Sequence, residues 1–173
     1  NMSNFKEDLL KVKGFAFDVD GVFSGNIILS GKGEQLRSMN MKDGYAVQFA
    51  IKKDYPVAII SGGKSETIRL RFEGLGVKYI YIGSCDKTLD FDDFISKNNL
   101  SYEEILYMGD DLPDYFVMKK AGIATCPIDA AEEIKGISKY ISGFKGGEGC
   151  VRDVIEQVLR AQGKWMDTDA FHW

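Results

Sequence analysis

The chain has 173 residues, of which 45% are hydrophobic and 28% are charged, and this mixture suits one globular domain with a sizeable core. Its net charge of −4 disfavours nucleic acid and anionic membranes as partners, although a metal ion or local basic side chains can still bring a phosphate to an acidic protein. The single histidine, His172, is the next-to-last residue, which excludes catalysis by an interior Ser–His pair.

The first third of the chain predicts a strand, a hairpin and a helix. The apolar run at 13–19 indicates a core strand, and the segment 22–40 indicates a β-hairpin whose strands flank the turn sequence GKG. Asp43 is the predicted N-cap of a helix that runs to about Lys53.

Strand-length apolar runs then alternate with helical patterns. Further strands are predicted at 56–61, 78–83, 105–110 and 122–125. Helices are predicted after the first three of these strands, the third being a short helix within 111–122, and the last helix spans roughly 149–161. The alternation predicts a single α/β domain over 1–163, built on a doubly wound parallel sheet with helices on both faces, followed by a tail at 164–173.

Cysteine usage and the lack of long apolar segments indicate a cytoplasmic protein. The three cysteines include no C-x-x-C pair, which argues against a disulfide framework and against a thiolate zinc site. The sequence has no run of 18 apolar residues, and no long apolar segment precedes the first predicted strand. We therefore expect no association with a membrane.

Polar residues follow four predicted strands, at the edge where such sheets bind ligands. In chain order these residues are Asp18 and Asp20, Ser61, Lys87, and Asp110 with Asp111. Because parallel strands share one carboxyl edge, these side chains are expected to converge on one site.

The sequence DVDG at 18–21 suits phosphoryl transfer. A carboxylate such as that of Asp18 can attack phosphorus, and Asp20 can give a proton to the leaving oxygen while Gly21 allows a sharp turn. Taken alone, the motif is explained equally well by an acidic turn after a strand.

The sequence GDDLPD at 109–114 suits a hard divalent cation. Asp110, Asp111 and Asp114 offer only oxygen ligands, and Mg²⁺ typically binds one or two carboxylates together with phosphate oxygens. The alternative for Asp111 and Asp114 is N-capping of the following helix, a role that explains Asp110 less well.

Ser61 and Lys87 are candidate phosphate ligands. The Ser61 hydroxyl and the backbone N–H groups of Gly62 and Gly63 precede a predicted helix, where anions commonly bind, and Lys87 can contact both the phosphate and Asp18. Each has an ordinary alternative, which is a cap or glycine turn for Ser61 and a solvated surface lysine for Lys87.

Together, these four groups resemble the motifs of the haloacid dehalogenase-like phosphotransferase superfamily over nearly the whole chain. The resemblance implies that Asp18 is the nucleophile, that Asp20 is the general acid and base, and that Ser61 and Lys87 contact the phosphoryl group. It also implies an aspartyl-phosphate intermediate.

The same resemblance implies a Mg²⁺ site. Its ligands would come from Asp18, the backbone carbonyl of Asp20, Asp110 and Asp111, and Asp114 would be a further ligand or support the others.

The motif spacing leaves no room for a cap domain. Only a hairpin and one helix separate Asp18 from Ser61, and only a helix and a strand separate Ser61 from Lys87. We therefore expect an open site unless a neighbouring subunit covers it. The hairpin, with unpaired strand edges, is the candidate association surface.

Finer features resemble one capless subfamily, the octulosonate 8-phosphate phosphatases. The segments DVDGVFSGNIILSGKGE, KDGYAV and GGEGCVRDVIEQVLRAQGKW carry this resemblance. It implies a Mg²⁺-dependent homotetramer that acts on a sugar-acid phosphate in lipopolysaccharide sugar synthesis. It also makes Asp43, Lys64, Arg71 and Arg152 candidate substrate or interface contacts, with a cap or a surface charge as an equal alternative for each.

The chain departs from this pattern at Gly63, where the subfamily often carries Arg and the nonulosonate 9-phosphate phosphatases can carry Glu. The alternatives are therefore a nonulosonate 9-phosphate phosphatase or a phosphatase for another small sugar phosphate. A phospho-acceptor module of the receiver type is disfavoured because its acidic pair would come early in the chain and its lysine late. An inactive structural partner is disfavoured because every expected catalytic residue is present.

Overall fold

A six-stranded parallel sheet forms the centre of the computed structural model, which describes residues 4–173. The strands in chain order, including the two of a separate hairpin (β2 and β3), are β1 Gly14–Phe17, β2 Ile27–Leu29, β3 Gln35–Arg37, β4 Val57–Ser61, β5 Tyr79–Ile82, β6 Ile105–Met108, β7 Ile123–Cys126 and β8 Tyr140–Ile141. The sheet order is β5-β4-β1-β6-β7-β8, so β1 lies between β4 and β6. The hairpin pairs antiparallel, with Ile28 opposite Leu36.

Helices cover both faces of this sheet. They are α1 Phe5–Leu9, α2 Met41–Lys52, α3 Glu66–Gly74, α4 Lys87–Lys97, α5 Tyr115–Lys120, α6 Glu132–Ile137 and α7 Cys150–Ala161. Residues of α1, α2, α3 and α7 contribute to the apolar cluster on one face, and residues of α4, α5 and α6 to the cluster on the other. Among residues 4–173, no helix is long and apolar enough to cross a membrane.

The two apolar clusters follow from strand alternation. In β1, Phe15 and Phe17 point to one face and Ala16 to the other, and all three are fully buried. A strand buried on both faces reads as a continuous apolar run, as the sequence predicted. Each buried Phe contributes about 1.5–3 kcal/mol relative to an exposed one.

The predicted fold class is confirmed, and two local predictions are wrong. The helix predicted to begin at Asp43 begins at Met41, because the side chain of Asn40 accepts the N–H groups of Lys42 and Asp43 at 2.8 and 3.2 Å and acts as the N-cap. The strand predicted to end at Asp110 ends at Met108, where pairing with β1 stops.

The C-terminal residues pack against α2. Lys53 forms ion pairs with Asp167 and Asp169, at 2.7 Å each, and Trp173 packs edge-on against Tyr45. Tyr45 also donates a hydrogen bond to the carbonyl of Ala170. The division between a domain at 1–163 and a tail at 164–173 stays a prediction, and residues 1–3 lie outside the described residues.

Candidate active site

The predicted site residues converge at the carboxyl ends of the three central strands. Asp18 follows β1, Ser61 ends β4, and Asp110 comes two residues after β6. These strands are neighbours in the sheet, so their ends meet at one crevice. A cavity of about 530 Å³ opens there, and its lining includes Asp18, Asp20, Gly62, Gly63, Lys87, Asp110, Asp111 and the hairpin base at 24–27.

Lys87 is the cation at the floor of this cavity. Asp86 caps α4, of which Lys87 is the first residue, and the lysine side chain reaches inward with 7% of its surface exposed. Its Nζ lies 2.9 Å from Asp18 Oδ1 and 2.8 Å from Asp114 Oδ1. Burial lowers the pKa of Lys87, but the two carboxylates outweigh burial and raise it overall, so the ammonium stays charged.

Asp114 joins Lys87 to the backbone after β6. Its Oδ1 also accepts the hydroxyl of buried Tyr107 at 2.8 Å, and its Oδ2 accepts the N–H of Asp110 at 3.0 Å. Charge-assisted hydrogen bonds of this kind fix geometry strongly in a buried site. Asp114 therefore holds both the lysine and the loop that carries Asp110.

Three carboxylates form a cluster that fits a divalent cation. Oxygens of Asp18, Asp110 and Asp114 lie within 4.8 Å of one another. Burial, with the charge of Asp114, raises the pKa of Asp18 well above its ordinary value and that of Asp110 to about 7. Lys87 alone leaves an excess of buried negative charge, and an all-oxygen donor set of this kind suits Mg²⁺.

Gly21 makes room for this cluster. Its φ of +87° lies in the left-handed region, and a Cβ on this residue would overlap the Asp110 carboxylate. The glycine of the DVDG sequence is thus required twice, by backbone conformation and by the close approach of Asp110.

Asp111 lies outside the carboxylate cluster, where a metal ligand was expected. Its Oδ1 accepts the N–H of Leu112 at 2.8 Å, and it caps the short 3₁₀ turn Leu112–Asp114. This is the capping role that the sequence offered as an alternative. Asp114, rather than Asp111, is the second acidic side chain of GDDLPD that faces Asp18.

Asp20 is held by an arginine of the hairpin. Arg37 Nε lies 2.6 Å from Asp20 Oδ1, and Arg37 Nη2 lies 3.0 Å from Asp20 Oδ2. The carboxylate remains 37% exposed toward the cavity, whereas the arginine side chain is only 4% exposed. This two-bonded ion pair fixes the orientation of Asp20 and raises the pKa of Arg37.

The loop after β4 forms a wall of the cavity. Ser61 is buried, and its Oγ accepts the N–H of Gly63 at 3.1 Å. A Cβ on Gly63 would lie 3.2 Å from Ser61 Oγ and 3.3 Å from Arg37 Nη2, which is tighter than an ordinary contact. The absence of a side chain at position 63 therefore lets the arginine approach this loop.

The four candidate substrate contacts do not line this cavity. The carboxylate of Asp43 is buried and accepts the N–H of Arg152 at 2.8 Å at the start of α7, and burial raises its pKa to about 6. The guanidinium of Arg152 lies 4.6 Å from the Trp165 ring centroid. Arg71 lines an adjoining groove, and Lys64 lies beside Gly83.

Two residues at the site were missed by the sequence analysis. Arg37 is one of two cations on an exposed hairpin, and no local pattern shows that it points inward. Tyr107 is in the predicted core strand, and a Tyr among apolar residues in a buried strand was the available signal, because a buried hydroxyl needs a partner.

Comparisons with known proteins show relatives of similar sequence and fold. No protein-family model matches the chain. The 3-deoxy-D-manno-octulosonate 8-phosphate phosphatase of Escherichia coli is 38% identical over 148 residues, covering 85% of this chain and 79% of the relative. The crystal structure of the enzyme of that name from Yersinia pestis matches with a TM-score of 0.89 at 33% identity, covering 92% of this chain and 86% of that one. The Moraxella catarrhalis enzyme, in complex with magnesium, phosphate and KDO, has a TM-score of 0.89 at 32% identity and 94% coverage of both chains.

Proposed function

The chain belongs to the 3-deoxy-D-manno-octulosonate 8-phosphate phosphatase family of the haloacid dehalogenase-like superfamily, and we propose that it hydrolyses this sugar-acid phosphate to the free sugar acid and phosphate in a Mg²⁺-dependent reaction. The observation that carries the proposal is the contact of Lys87 with Asp18 and Asp114 beside the Asp110 carboxylate. This arrangement places a carboxylate nucleophile, a charged lysine and a site for a divalent metal ion in one cavity.

Asp18 would be the nucleophile. Its Oδ1 accepts Lys87 Nζ and the N–H of Val19 at 2.7 Å, which orients the carboxylate and leaves Oδ2 for the attack. A bond forms between Oδ2 and phosphorus while the bond between phosphorus and the sugar oxygen breaks, giving an aspartyl phosphate.

Asp20 would move the proton. It gives its proton to the departing sugar oxygen in the first step and takes a proton from the water that attacks the aspartyl phosphate in the second. The Asp20 carboxylate faces the cavity while Arg37 holds it from the hairpin side, so its orientation is fixed for both steps.

Lys87, Ser61 and the glycine loop would bind the phosphoryl oxygens. A buried ammonium, the Ser61 hydroxyl and the N–H group of Gly62 are donors that can stabilise charge on the equatorial oxygens, while the N–H of Gly63 donates to Ser61 Oγ and holds the loop. Asp18, Asp110 and the backbone carbonyl of Asp20 would hold Mg²⁺, with Asp111 or Asp114 in support. When bound, the ion offsets the repulsion between the carboxylate and the phosphate.

We further propose a cytoplasmic homotetramer that serves lipopolysaccharide sugar synthesis. The hairpin supports the assembly, because its cross-strand pair Ile28 and Leu36 is 59% and 50% exposed on two strands that stand apart from the main sheet. Since residues 4–173 include no cap domain, a neighbour's hairpin would close the open site.

A phosphate-release screen tests the function. We expect kcat/KM for octulosonate 8-phosphate to exceed that for nonulosonate 9-phosphates and for ribose 5-phosphate.

EDTA should abolish release and Mg²⁺ should restore it. Asp18→Asn should abolish release while circular dichroism shows an unchanged fold. Turnover in EDTA, or activity retained by Asp18→Asn, would refute the mechanism, and a preference for another sugar phosphate would refute the substrate.

A further inference from the structure

The loop at 21–25 is tightly folded and forms part of the wall of the active-site cavity. It connects Asp20 to the hairpin, and Gly21 and Ser24 are among the residues that line the cavity. Within the loop, the N–H of Gly21 donates to the carbonyl of Ser24 at 2.7 Å. The carbonyl of Val22 has no donor inside the loop, and since Val22 is fully buried, its oxygen needs a donor from elsewhere in the chain.

A segment near the end of the chain, residues 146–150, supplies two donors to this carbonyl. The N–H of Gly147 donates to Val22 O at 2.9 Å, and the thiol of Cys150, the first residue of α7, donates to the same oxygen at 3.2 Å. Burial raises the pKa of the Cys150 thiol, so the sulfur keeps the proton that it donates. The 146–150 segment is therefore bonded directly to the backbone of the active-site loop.

Gly146 packs against the same loop at Gly21. A Cβ on Gly146 would overlap the carbonyl group of Gly21, and Gly146 has no positive φ, so this close contact is what requires a glycine here. The Asp110 carboxylate covers the Cα of Gly21, where a Cβ would overlap it. The backbone of Gly21 is thus in contact with Gly146 at its carbonyl and with a member of the carboxylate cluster at its Cα.

The 146–150 segment is itself anchored to two other parts of the fold. The N–H of Gly146 donates to Oδ1 of Asp129, in the loop after β7, at 3.0 Å. The N–H of Arg152, in the first turn of α7, donates to Asp43 of α2 at 2.8 Å. Because these anchors belong to different elements, the segment is a fixed support for the active-site loop.

We propose that the 146–150 segment positions the metal site by fixing the backbone of Gly21; this rests on the proposed function. With Gly21 fixed, the carboxylate of Asp110 and the backbone carbonyl of Asp20 keep the places from which they would hold the divalent cation. Close-packed backbone transmits a displacement, because unlike a side chain it has no other rotamer to adopt. Residues that support metal ligands in this way typically change metal affinity by about 10- to 100-fold when altered.

The test compares alanine at two glycines of the same loop. Gly146→Ala introduces the Cβ that overlaps Gly21, whereas a Cβ at position 143 meets nothing within 4 Å, so Gly143→Ala is the matched control. Neither glycine has a positive φ. Mg²⁺ binding to the intact chain is measured by isothermal titration calorimetry without substrate. The dissociation constant should rise by about 10- to 100-fold in Gly146→Ala and match the wild type in Gly143→Ala.

Mg²⁺ dependence separates positioning from a loss of stability. Phosphate release by Gly146→Ala should keep rising over Mg²⁺ concentrations that already saturate the wild type, because more of the metal offsets its weaker binding. A role in folding alone would lower Tm and leave the dissociation constant of the folded protein unchanged.

Cys150 provides a milder perturbation if Gly146→Ala does not fold. Cys150→Ala removes one of the two donors to Val22 without introducing an overlap, and the loss of one hydrogen bond should raise the Mg²⁺ dissociation constant by about threefold or more. Cys150→Ser keeps a donor and should restore most of the affinity. Cys126→Ala, at an equally buried cysteine in the apolar cluster on the other face of the sheet, should leave Mg²⁺ binding unchanged.

Three results would overturn the proposal. The first is a folded Gly146→Ala protein with the Mg²⁺ affinity of the wild type, and the second is an equal loss of affinity in Gly143→Ala. The third, if Gly146→Ala does not fold, is the same dissociation constant for Cys150→Ala and Cys126→Ala. A wild type that binds no Mg²⁺ or does not hydrolyse octulosonate 8-phosphate would instead refute the proposed function, a result visible before any variant is made.

Discussion

Replacing Asp114 by Asn should test how far the buried hydrogen-bond network of Asp114, Lys87 and Tyr107 stabilises the fold and how far it positions Lys87 for catalysis. The substitution keeps size and shape but removes the charge opposite Lys87 Nζ at 2.8 Å. In the wild type, Oδ1 of Asp114 accepts hydrogen bonds from Lys87 and Tyr107, and Oδ2 accepts the N–H of Asp110. The asparagine puts an NH₂ group, which cannot accept, in place of one of these two oxygens. At least one donor then loses its acceptor.

The expected size of the effect follows from these contacts. Breaking a buried ion pair costs about 3–5 kcal/mol. Because Lys87 keeps Asp18 as a partner and loss of the Asp114 charge relieves its repulsion with Asp18 and Asp110, about 3 kcal/mol is the upper limit. For a chain of this length each kcal/mol lowers Tm by about 2–4 °C, which gives a fall of at most about 6–12 °C. Release of Lys87 should also lower kcat by about 100-fold, because a displacement of about 1 Å is enough for such a loss.

Thermal unfolding and phosphate-release kinetics measure both effects. Tyr107→Phe is the matched comparison, because it removes one neutral donor from Asp114 and leaves every charge in place. Its Tm should fall by less than half as much, and kcat by less than tenfold. If Asp114→Asn matches the wild type in both Tm and kcat, the network does not position Lys87.

Two further predictions concern pH and assembly. Because burial raises the pKa of Asp43 to about 6, the folded state binds this proton more tightly than the unfolded state does, so stability should fall as pH rises from about 4 to 6. Asp43 contributes about 2–3 kcal/mol to this fall, beside the contributions of Asp18 and Asp110, whose pKa values are also raised; Asp43→Asn should therefore lessen the fall by about that amount, and parallel urea-unfolding profiles of the two proteins would contradict it. Ile28→Lys places a charge in the exposed pair with Leu36 and should yield monomers with lowered activity, measured by light scattering. The exposed turn variant Lys32→Met should keep the assembly, and an Ile28→Lys protein that also keeps it would exclude the hairpin as the interface.

The start of α2 was mispredicted because Asp43 and Asn40 are both good N-caps by composition. Which of the two takes the role depends on a contact that local sequence does not contain, since Asp43 is drawn to the start of α7, across 109 positions. In the same way, local sequence does not show that Asp111 caps its own 3₁₀ turn while Asp114 reaches Lys87.

The sequence alone determined five of the six strands of the sheet and the edge at which Asp18, Ser61 and Lys87 meet, whereas β8 and the short helices α1 and α6 were not predicted. It could do so because apolar periodicity is local and because parallel strands place their carboxyl ends at one edge. Only the tertiary structure decided that Asp114 rather than Asp111 joins the carboxylate cluster and that Arg37 crosses from the hairpin to Asp20. These contacts depend on the packing of separate elements against one another, and a side chain on an exposed strand carries no local sign of the direction it takes.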